Sequence, residues 1–551
     1  MKIAMLSDIR WAFDSLTHVY NTTEKILRET HQVIRQPRHY LASSEAEKYR
    51  INAEIIERCD VVIAKPDISF LKARDRIGKH IPYLVLLLGG APRGMPNLVK
   101  AWKYLRSTDV LVGNCNGDLE IIRAFFPNAQ SVLLPFSFDE SKFFALERAS
   151  RDKAKAALGF STEDKILLYA GRITLEKNIH TLLLIFSILQ KIDPQIHLII
   201  AGAASDVPFE DFGVYPKDFQ KVLRKSIDRI GVDKKRLHLV GHQTARQLQK
   251  LYSIADVFVN MTLHHDENFG LAQVEAMACG VPVVGTNWGG LKDTILHSRT
   301  GFRISTTITA AGVKSNWLEG ASKILYLLNR KRQIGDVRLQ CRRHVEKRYS
   351  LAIYRNNLEE LLVKATTRAK CPGARLVLSG FGRELWKVCR RRSKGPAPYR
   401  RGPKSLKLYR ELIRPYAGGI KPSLEMAAGS ESVYLPWPVT LNHQRELGIS
   451  DPMFPMTLTI PVKYERILED VLRMLRDTPV ISIRSLTQRY LKHHDRAKAV
   501  SALGWMLDAG ILIALRRKDA RVVARGLSGV RDKPLFSIHR VNNQTNKVVL
   551  H

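Results

Sequence analysis

Residues 267–284 read Glu267-Asn268-Phe269-Gly270-Leu271-Ala272-Gln273-Val274-Glu275-Ala276-Met277-Ala278-Cys279-Gly280-Val281-Pro282-Val283-Val284, and this run decides the fold. Upstream, residues 256–261 form a short apolar stretch suited to a strand buried on both faces, and residues 282–286 form another. Between them Gly270 lets the backbone approach a ligand. A helix opening at Gly270 and Leu271 then presents free N–H groups to a phosphate. Strand, glycine, helix and strand make the unit of a parallel α/β sheet, whose ligands sit beyond the carboxyl ends of the strands.

The same alternation continues outward. Further strand candidates are residues 165–171, 197–202 and 237–241 on one side of residue 141, and 2–7, 31–36, 60–65, 83–88, 109–114 and 131–135 on the other. The fold class expected is therefore α/β, with two doubly wound Rossmann-like domains facing a cleft, 1–140 and 141–345. Pro135-Phe136-Ser137-Phe138-Asp139, with Phe143 and Phe144, reads as the joint. A helical stretch over 337–370 supplies a crossing helix at 346–370. Residues 371–460 read as a basic Pro/Arg-rich linker or irregular region, and 461–545 as a winged-helix-like domain.

Length and charge narrow the classes. The 551 residues suggest about three or four domains of roughly 150 residues. At 45% hydrophobic and 25% charged, the chain can bury sizeable cores. Lys+Arg number 88 against 52 Asp+Glu, a net +36. Residues 371–551 hold 33 basic and 14 acidic side chains, so a third of the chain carries +19 and the first 370 residues +17. Such a surplus speaks of anionic partners, not of fold. No apolar run approaches the roughly 18–20 residues of a spanning helix. Residues 1–8 read as a short strand, not a signal peptide. The six cysteines (Cys59, Cys115, Cys279, Cys341, Cys371, Cys389) form no CxxC pair, which argues against a zinc or disulfide framework. The expected compartment is the cytoplasm, or the inner face of a membrane.

Glu267 and Glu275 flank the anion-binding helix start. Carboxylates repel phosphate but accept hydrogen bonds from sugar hydroxyls, so the pattern suits a ligand with sugar, diphosphate and ribose in series. The run resembles the E-x7-E signature of family 4 glycosyltransferases, the retaining group with the two-Rossmann GT-B fold. The resemblance covers roughly residues 1–370. Ala170-Gly171-Arg172 followed by Glu176-Lys177-Asn178 resembles the family's Gly-Arg…Lys element, whose Arg and Lys hold the donor pyrophosphate. Asn287-Trp288-Gly289-Gly290-Leu291-Lys292-Asp293 and Thr300-Gly301-Phe302 resemble the two elements that follow. The stretch ending near Lys370 resembles the helix that crosses back to brace the first domain.

The resemblance implies a nucleoside-diphosphate sugar as donor substrate, with no resident cofactor and no metal. It implies catalytic roles for Glu267, Arg172 and Lys177. Donor contacts are implied for Glu275, Phe269, Gly270, Leu271, Gly171, Gly202 and Gly241. Donors aimed at charge developing on the leaving oxygen are worth about 3–4 kcal/mol each. The sequence departs from the family on the acceptor side. The first strand leads into Ser7-Asp8-Ile9-Arg10-Trp11-Ala12-Phe13 without glycine, and the family's histidine after the fourth strand is replaced by Leu88-Gly89-Gly90-Ala91-Pro92-Arg93-Gly94. Acceptor-side candidates are Gly89, Gly90, Asp8 and Arg10. His264 and His265 stand at the expected cleft edge.

In the tail, residues 464–476 carry Ile467, Val471 and Leu475 at helical spacing. A strand at 480–483, helices at 486–491 and 496–509, and strands at 511–515 and 521–525 complete a winged-helix order. As a reader of nucleic acid, it would present Arg496, Lys498 and Ser501 to the groove and Arg516, Arg517 and Lys518 from the wing to phosphate. As a packing module, Leu503, Trp505, Met506 and Leu507 would be core. The expected acceptor is a modified base in DNA held by the basic tail. The alternative is an envelope polysaccharide or glycolipid, with the tail docked on anionic membrane. A transferase frame kept as a nucleic-acid-binding regulator is a third reading, opposed by the intact Glu267, Glu275, Arg172 and Lys177.

Overall fold

The computed structural model describes residues 1–6, 14–37, 39–86, 89–205, 214–216, 218–265, 267–330, 334–368, 373–390, 409–418, 431–437, 439–441, 446–449, 456–527, 538–542 and 547–550. Asp8 and Arg10 lie outside the described residues, as does most of the Arg-rich run 389–407.

The first sheet contains β1 (Lys2–Leu6), β2 (Gln32–Arg35), β3 (Val61–Ala64), β4 (Tyr83–Leu86), β5 (Val110–Gly113) and β6 (Gln130–Leu133). All pairs are parallel, in the order β2-β1-β3-β4-β5-β6. The interior strands β3, β4 and β5 are buried along their full length, which is why they read as unbroken Val/Leu/Ile runs. The second domain contains β7 (Lys165–Ala170), β8 (Ile196–Ala201), the short β9 (Val214–Pro216), β10 (Leu237–Gly241), β11 (Val257–Asn260), β12 (Val283–Thr286) and β13 (Gly301–Ile304). Its sheet runs β10-β8-β7-β11-β12-β13, again parallel. The strand order reverses between β7 and β11, and that switch point opens the crevice in which ligands of such sheets bind.

The expected strands form with ends shifted by one or two residues. In the second domain four were not foreseen: β9, β13, and the antiparallel pair Thr306–Thr309 and Gly312–Ser315. The helical stretch divides into Ile334–Tyr349 and Leu351–Arg368. The second of these packs Tyr354, Leu358, Leu361 and Leu362 against Ile3, Met5, Val61 and Leu84 of the first domain.

The last third corrects two expectations. First, residues 371–460 include folded pieces. Helix Gly380–Arg390 packs on the first domain, with Phe381 edge-on to Phe125 at 4.7 Å. Residues 409–418 bury Tyr409, Leu412, Ile413 and Tyr416. Second, the winged-helix reading fails at the wing. Helices Glu465–Asp477 and Arg496–Asp508 form as expected, the latter capped by Asp495 accepting from Lys498 N at 2.8 Å. After strand Ile513–Arg516, however, residues 517–523 are helical. The strand that pairs with Ile513–Arg516 is Glu431–Tyr434, which also pairs with Ile481–Ser482. Docking explains the change. Asp519 accepts from Ser322 Oγ (2.7 Å) and Lys323 Nζ (3.1 Å) on helix Trp317–Leu328 of the second domain, and Val523 is fully buried. These tertiary contacts override the strand preference of Val522-Val523.

The same docking answers where the nominated nucleic-acid contacts lie. Arg516 is bonded to Asp519 (3.0 Å) and Glu319 (3.4 Å), and Ser501 Oγ to Tyr464 Oη (2.5 Å). Arg496, Lys498, Arg517 and Lys518 are exposed. No helix among the described residues is long and apolar enough to cross a membrane.

Candidate active site

The β7–β11 switch point assembles the charged residues. After β7 the chain turns through Gly171 and Arg172 into a single helical turn, Leu175–Lys177. Asn178 stops it in the left-handed region (φ 57°) and donates its side-chain amide to Met261 O at the end of β11, 2.8 Å away. This clamp fixes Lys177 against the loop after β11. Lys177 Nζ lies 2.5 Å from Glu267 Oε2, both side chains being largely buried. Arg172 pairs with Glu176 at 2.8 Å, and the other oxygen of Glu176 meets His264 Nε2 at 3.2 Å. His264 and His265, expected at the cleft edge, are both buried and tilted against each other at 4.6 Å.

Gly270 begins helix Leu271–Ala278 with φ 84°, a conformation that favours glycine. Its carbonyl accepts from Gln273 and Val274, so the amides of Gly270 and Leu271 precede the ladder and form a partial positive charge at the helix mouth. Gly202 shows why a glycine follows β8. A Cβ there would lie 1.9 Å from Gly171 O, and Gly202 N is bonded to Gly241 O at 2.7 Å. The ends of β7, β8 and β10 can therefore draw together. Glu275 accepts from Tyr252 Oη at 3.1 Å. Part of its surface stays open, yet its burial pushes the carboxyl up from 4.5 to about 8. Tyr252 carried no sequence signal, since it pairs with Glu275 from another helix.

One nominated donor contact is corrected. Phe269 is buried, its ring against Phe136 (5.4 Å) and Tyr349 (5.3 Å), so it braces the signature loop from the core and does not face the crevice. The loop is also held from behind. Gly290 N donates to Glu267 O at 2.8 Å, and a Cβ on Gly289 or Gly290 would fall about 2 Å from the backbone of residues 267–269. In the first domain, Gly89 and Gly90 (φ 91° and 84°) turn the chain into helix Ala91–Ala101. Ala91 N donates to Asp118 Oδ1 at 2.7 Å.

Asp118 was not foreseen. It lies on helix Asn116–Phe125, fully buried, and also accepts from Asn114 N (2.9 Å), Asn268 Nδ2 (3.3 Å) and Tyr416 Oη (2.5 Å). Burial raises its carboxyl above the ordinary range, against these hydrogen bonds, of which the Tyr416 hydroxyl favours the ionised form most. Among the described residues, the one cluster of His, Cys, Asp and Glu with metal-ligand spacing is Asp470, His493 and His494, in the tail and outside this crevice.

Residues 150–319 match the family described as glycosyl transferases group 1. Among curated proteins, the chain is similar to the lipopolysaccharide 1,2-N-acetylglucosaminetransferase of Salmonella typhimurium, at 26% identity over 198 residues, covering 35% of this chain and 49% of that protein. It is also similar to the D-inositol 3-phosphate glycosyltransferase of an Arthrobacter species, at 35% identity over 28% of this chain and 34% of the relative. A glycogen synthase of Mycobacterium tuberculosis matches at 25% identity over 45% and 55%. The chain spans about a third to about half of the length of these relatives. Among solved structures, HepE of Anabaena in complex with UDP superposes with a TM-score of 0.50 at 17% identity, 66% of this chain covering 100% of that one. A glycosyltransferase from Rickettsia africae gives the same score at 16% identity, over 66% and 98%. The fold is GT-B.

Proposed function

We propose that this chain is a retaining glycosyltransferase that moves a sugar from a nucleoside-diphosphate donor to a hydroxyl acceptor. The observation that carries the reading is Lys177 held 2.5 Å from Glu267 beside the helix start at Gly270. The match of residues 150–319 to group 1 glycosyl transferases and the UDP in the Anabaena neighbour support the donor class.

The diphosphate lies across the mouth of helix Leu271–Ala278, and Lys177 exchanges its Glu267 partner for phosphate. Glu267 is thereby released to orient the donor sugar through its hydroxyls, and Glu275 accepts from the ribose. The bond from the anomeric carbon to the diphosphate breaks as the bond to the acceptor oxygen forms on the same face. The acceptor's proton passes to the leaving phosphate oxygen. Arg172, Lys177 and the Gly270 and Leu271 amides stabilise the charge on that oxygen, a preorganised arrangement worth about 3–4 kcal/mol per donor. Neither a metal nor a resident cofactor takes part. The test is Glu267→Ala: nucleotide-sugar turnover should collapse while UDP still binds, and unaltered turnover sinks the assignment.

For the acceptor, we favour a glycan or glycolipid at an anionic membrane face over a base in DNA. The tail retains exposed Arg496, Lys498, Arg517 and Lys518, while Arg516 and Ser501 are bonded within the chain and residues 517–523, read as part of the wing, are helical. The Salmonella relative is named for transfer to lipopolysaccharide. Full-length protein should bind anionic vesicles more tightly than duplex DNA, both falling steeply between about 50 and 200 mM salt. Tighter binding to the duplex across that range would restore the DNA reading.

A further inference from the structure

The tail threads through the seam between the two domains. Residues 409–418 run alongside the loop after β12: Trp288 and Ala417 form an antiparallel bridge, Gly418 N donates to Asn287 O at 2.9 Å, and Gly289 N donates to Tyr416 O at 2.9 Å. Lys292 Nζ donates to Pro415 O at 2.6 Å. The Tyr416 ring stands edge-on to Trp288 at 5.9 Å. Its hydroxyl crosses to the first domain and donates to Asp118 Oδ1. Gly117 leaves the ring its space, since a Cβ there would lie 2.9 Å from Tyr416 Cδ1.

We propose that Tyr416 of the tail and Asp118 of the first domain are positioning residues for Glu267, so that the tail is a working part of the transfer site. The inference rests on the assignment of Glu267 given above. Two routes connect Tyr416 to that carboxylate. Through its carbonyl it holds Gly289, whose neighbour Gly290 holds the Glu267 carbonyl at 2.8 Å. Through its hydroxyl it holds Asp118, which accepts from Asn268, the residue after Glu267. Asn268 Nδ2 also donates to Asn114 Oδ1 at 2.8 Å, so its side chain is fixed twice by the first domain. The same Asp118 oxygen that meets Tyr416 accepts from Ala91 N, which ties the Gly89-Gly90 turn to the same point. One tail residue thus sets the loop that orients the donor sugar and the turn facing it. The groups assigned to the diphosphate, Lys177 and Arg172, sit instead on the turn after β7, where Asn178 is bonded to Met261 O and Glu176 pairs with Arg172.

That separation gives the test. Tyr416→Phe, Asp118→Asn and Gly117→Ala are made in the full chain, the last displacing the ring without removing a bonding group. UDP affinity is measured by calorimetry, UDP release from UDP-glucose as turnover, and amide exchange by mass spectrometry. UDP affinity should stay within about twofold while turnover falls about ten- to a hundredfold, the cost of a displacement near 1 Å at the reacting centre. Amides of residues 264–270 and 89–94 should exchange faster, and those of 179–192 at the wild-type rate, whatever donor the enzyme prefers. Unchanged exchange at 264–270, or turnover falling only in proportion to UDP affinity, overturns the proposal. If Glu267→Ala keeps full turnover, the assignment of Glu267 fails first. If Glu267→Ala is inactive and Tyr416→Phe behaves as wild type in both readouts, this inference alone fails.

Discussion

In the second domain, each of the six sheet strands pairs with strands from the same 140-residue stretch, and the glycines fall where backbones meet. In the last third, strand Glu431–Tyr434 lies between Ile481–Ser482 and Ile513–Arg516, while residues 409–418 leave for the seam between domains. The comparison teaches where local pattern is sufficient. Strand, turn and helix follow one another along the chain in the second domain, so periodicity and glycine placement predict contacts. In the tail, strand Glu431–Tyr434 finds its partners about fifty and eighty residues away and residues 409–418 pair across the domain seam, and an order of elements does not specify those partners.

Four experiments sharpen that contrast. The largest effect belongs to the second domain: Lys177→Ala should lower nucleotide-sugar turnover by about 100- to 1000-fold, with the fold intact by circular dichroism. Next comes the tail's anchor. Asp519→Ala leaves Lys323 buried without its carboxylate and should cost about 3 kcal/mol in denaturant unfolding, with faster proteolysis around residues 509–527. If stability is unchanged, the tail is less dependent on this anchor than its burial implies.

A smaller effect concerns pH. The Glu275 carboxyl holds its proton in the folded protein up to about pH 8, whereas the unfolded chain releases it near 4.5. The native state therefore binds more protons across that window, and stability declines as pH rises through it, by about 1.4 kcal/mol per pH unit from this group. Glu275→Gln should flatten that decline in ligand-free protein, read from chemical denaturation between pH 5 and 8. The smallest effect is on the tail surface. Lys498→Glu should leave stability within about 0.5 kcal/mol. If the exposed tail contacts a polyanion, the same substitution lowers the log–log salt slope by about one.

The candidate site divides along the same line. Lys177, Arg172, Glu267 and Gly270 could be nominated because a helix start, two cations and a carboxylate at a strand end form one chemical pattern, and the structure brings Lys177 and Glu267 together. Phe269 was misread because sequence does not say which way a loop side chain faces. Asp118, Tyr252 and Tyr416 carried no local signal, since each matters only through a partner on another element. β13 and the Thr306–Thr309 hairpin were missed because Arg303 and the threonines break the apolar runs expected of buried strands. The segment 521–525 looks like a strand and folds as a helix because its docking partner lies almost two hundred residues earlier.

Leu351–Arg368 returns the chain to the first domain, Gly380–Arg390 keeps it there, residues 409–418 cross the seam, and Glu431–Tyr434 lies once more beside the second. The polypeptide is laced back and forth, and neither half can melt without pulling on the other. Calorimetry should accordingly record one endotherm for the body of the protein, where two domains joined by a single crossing would give two.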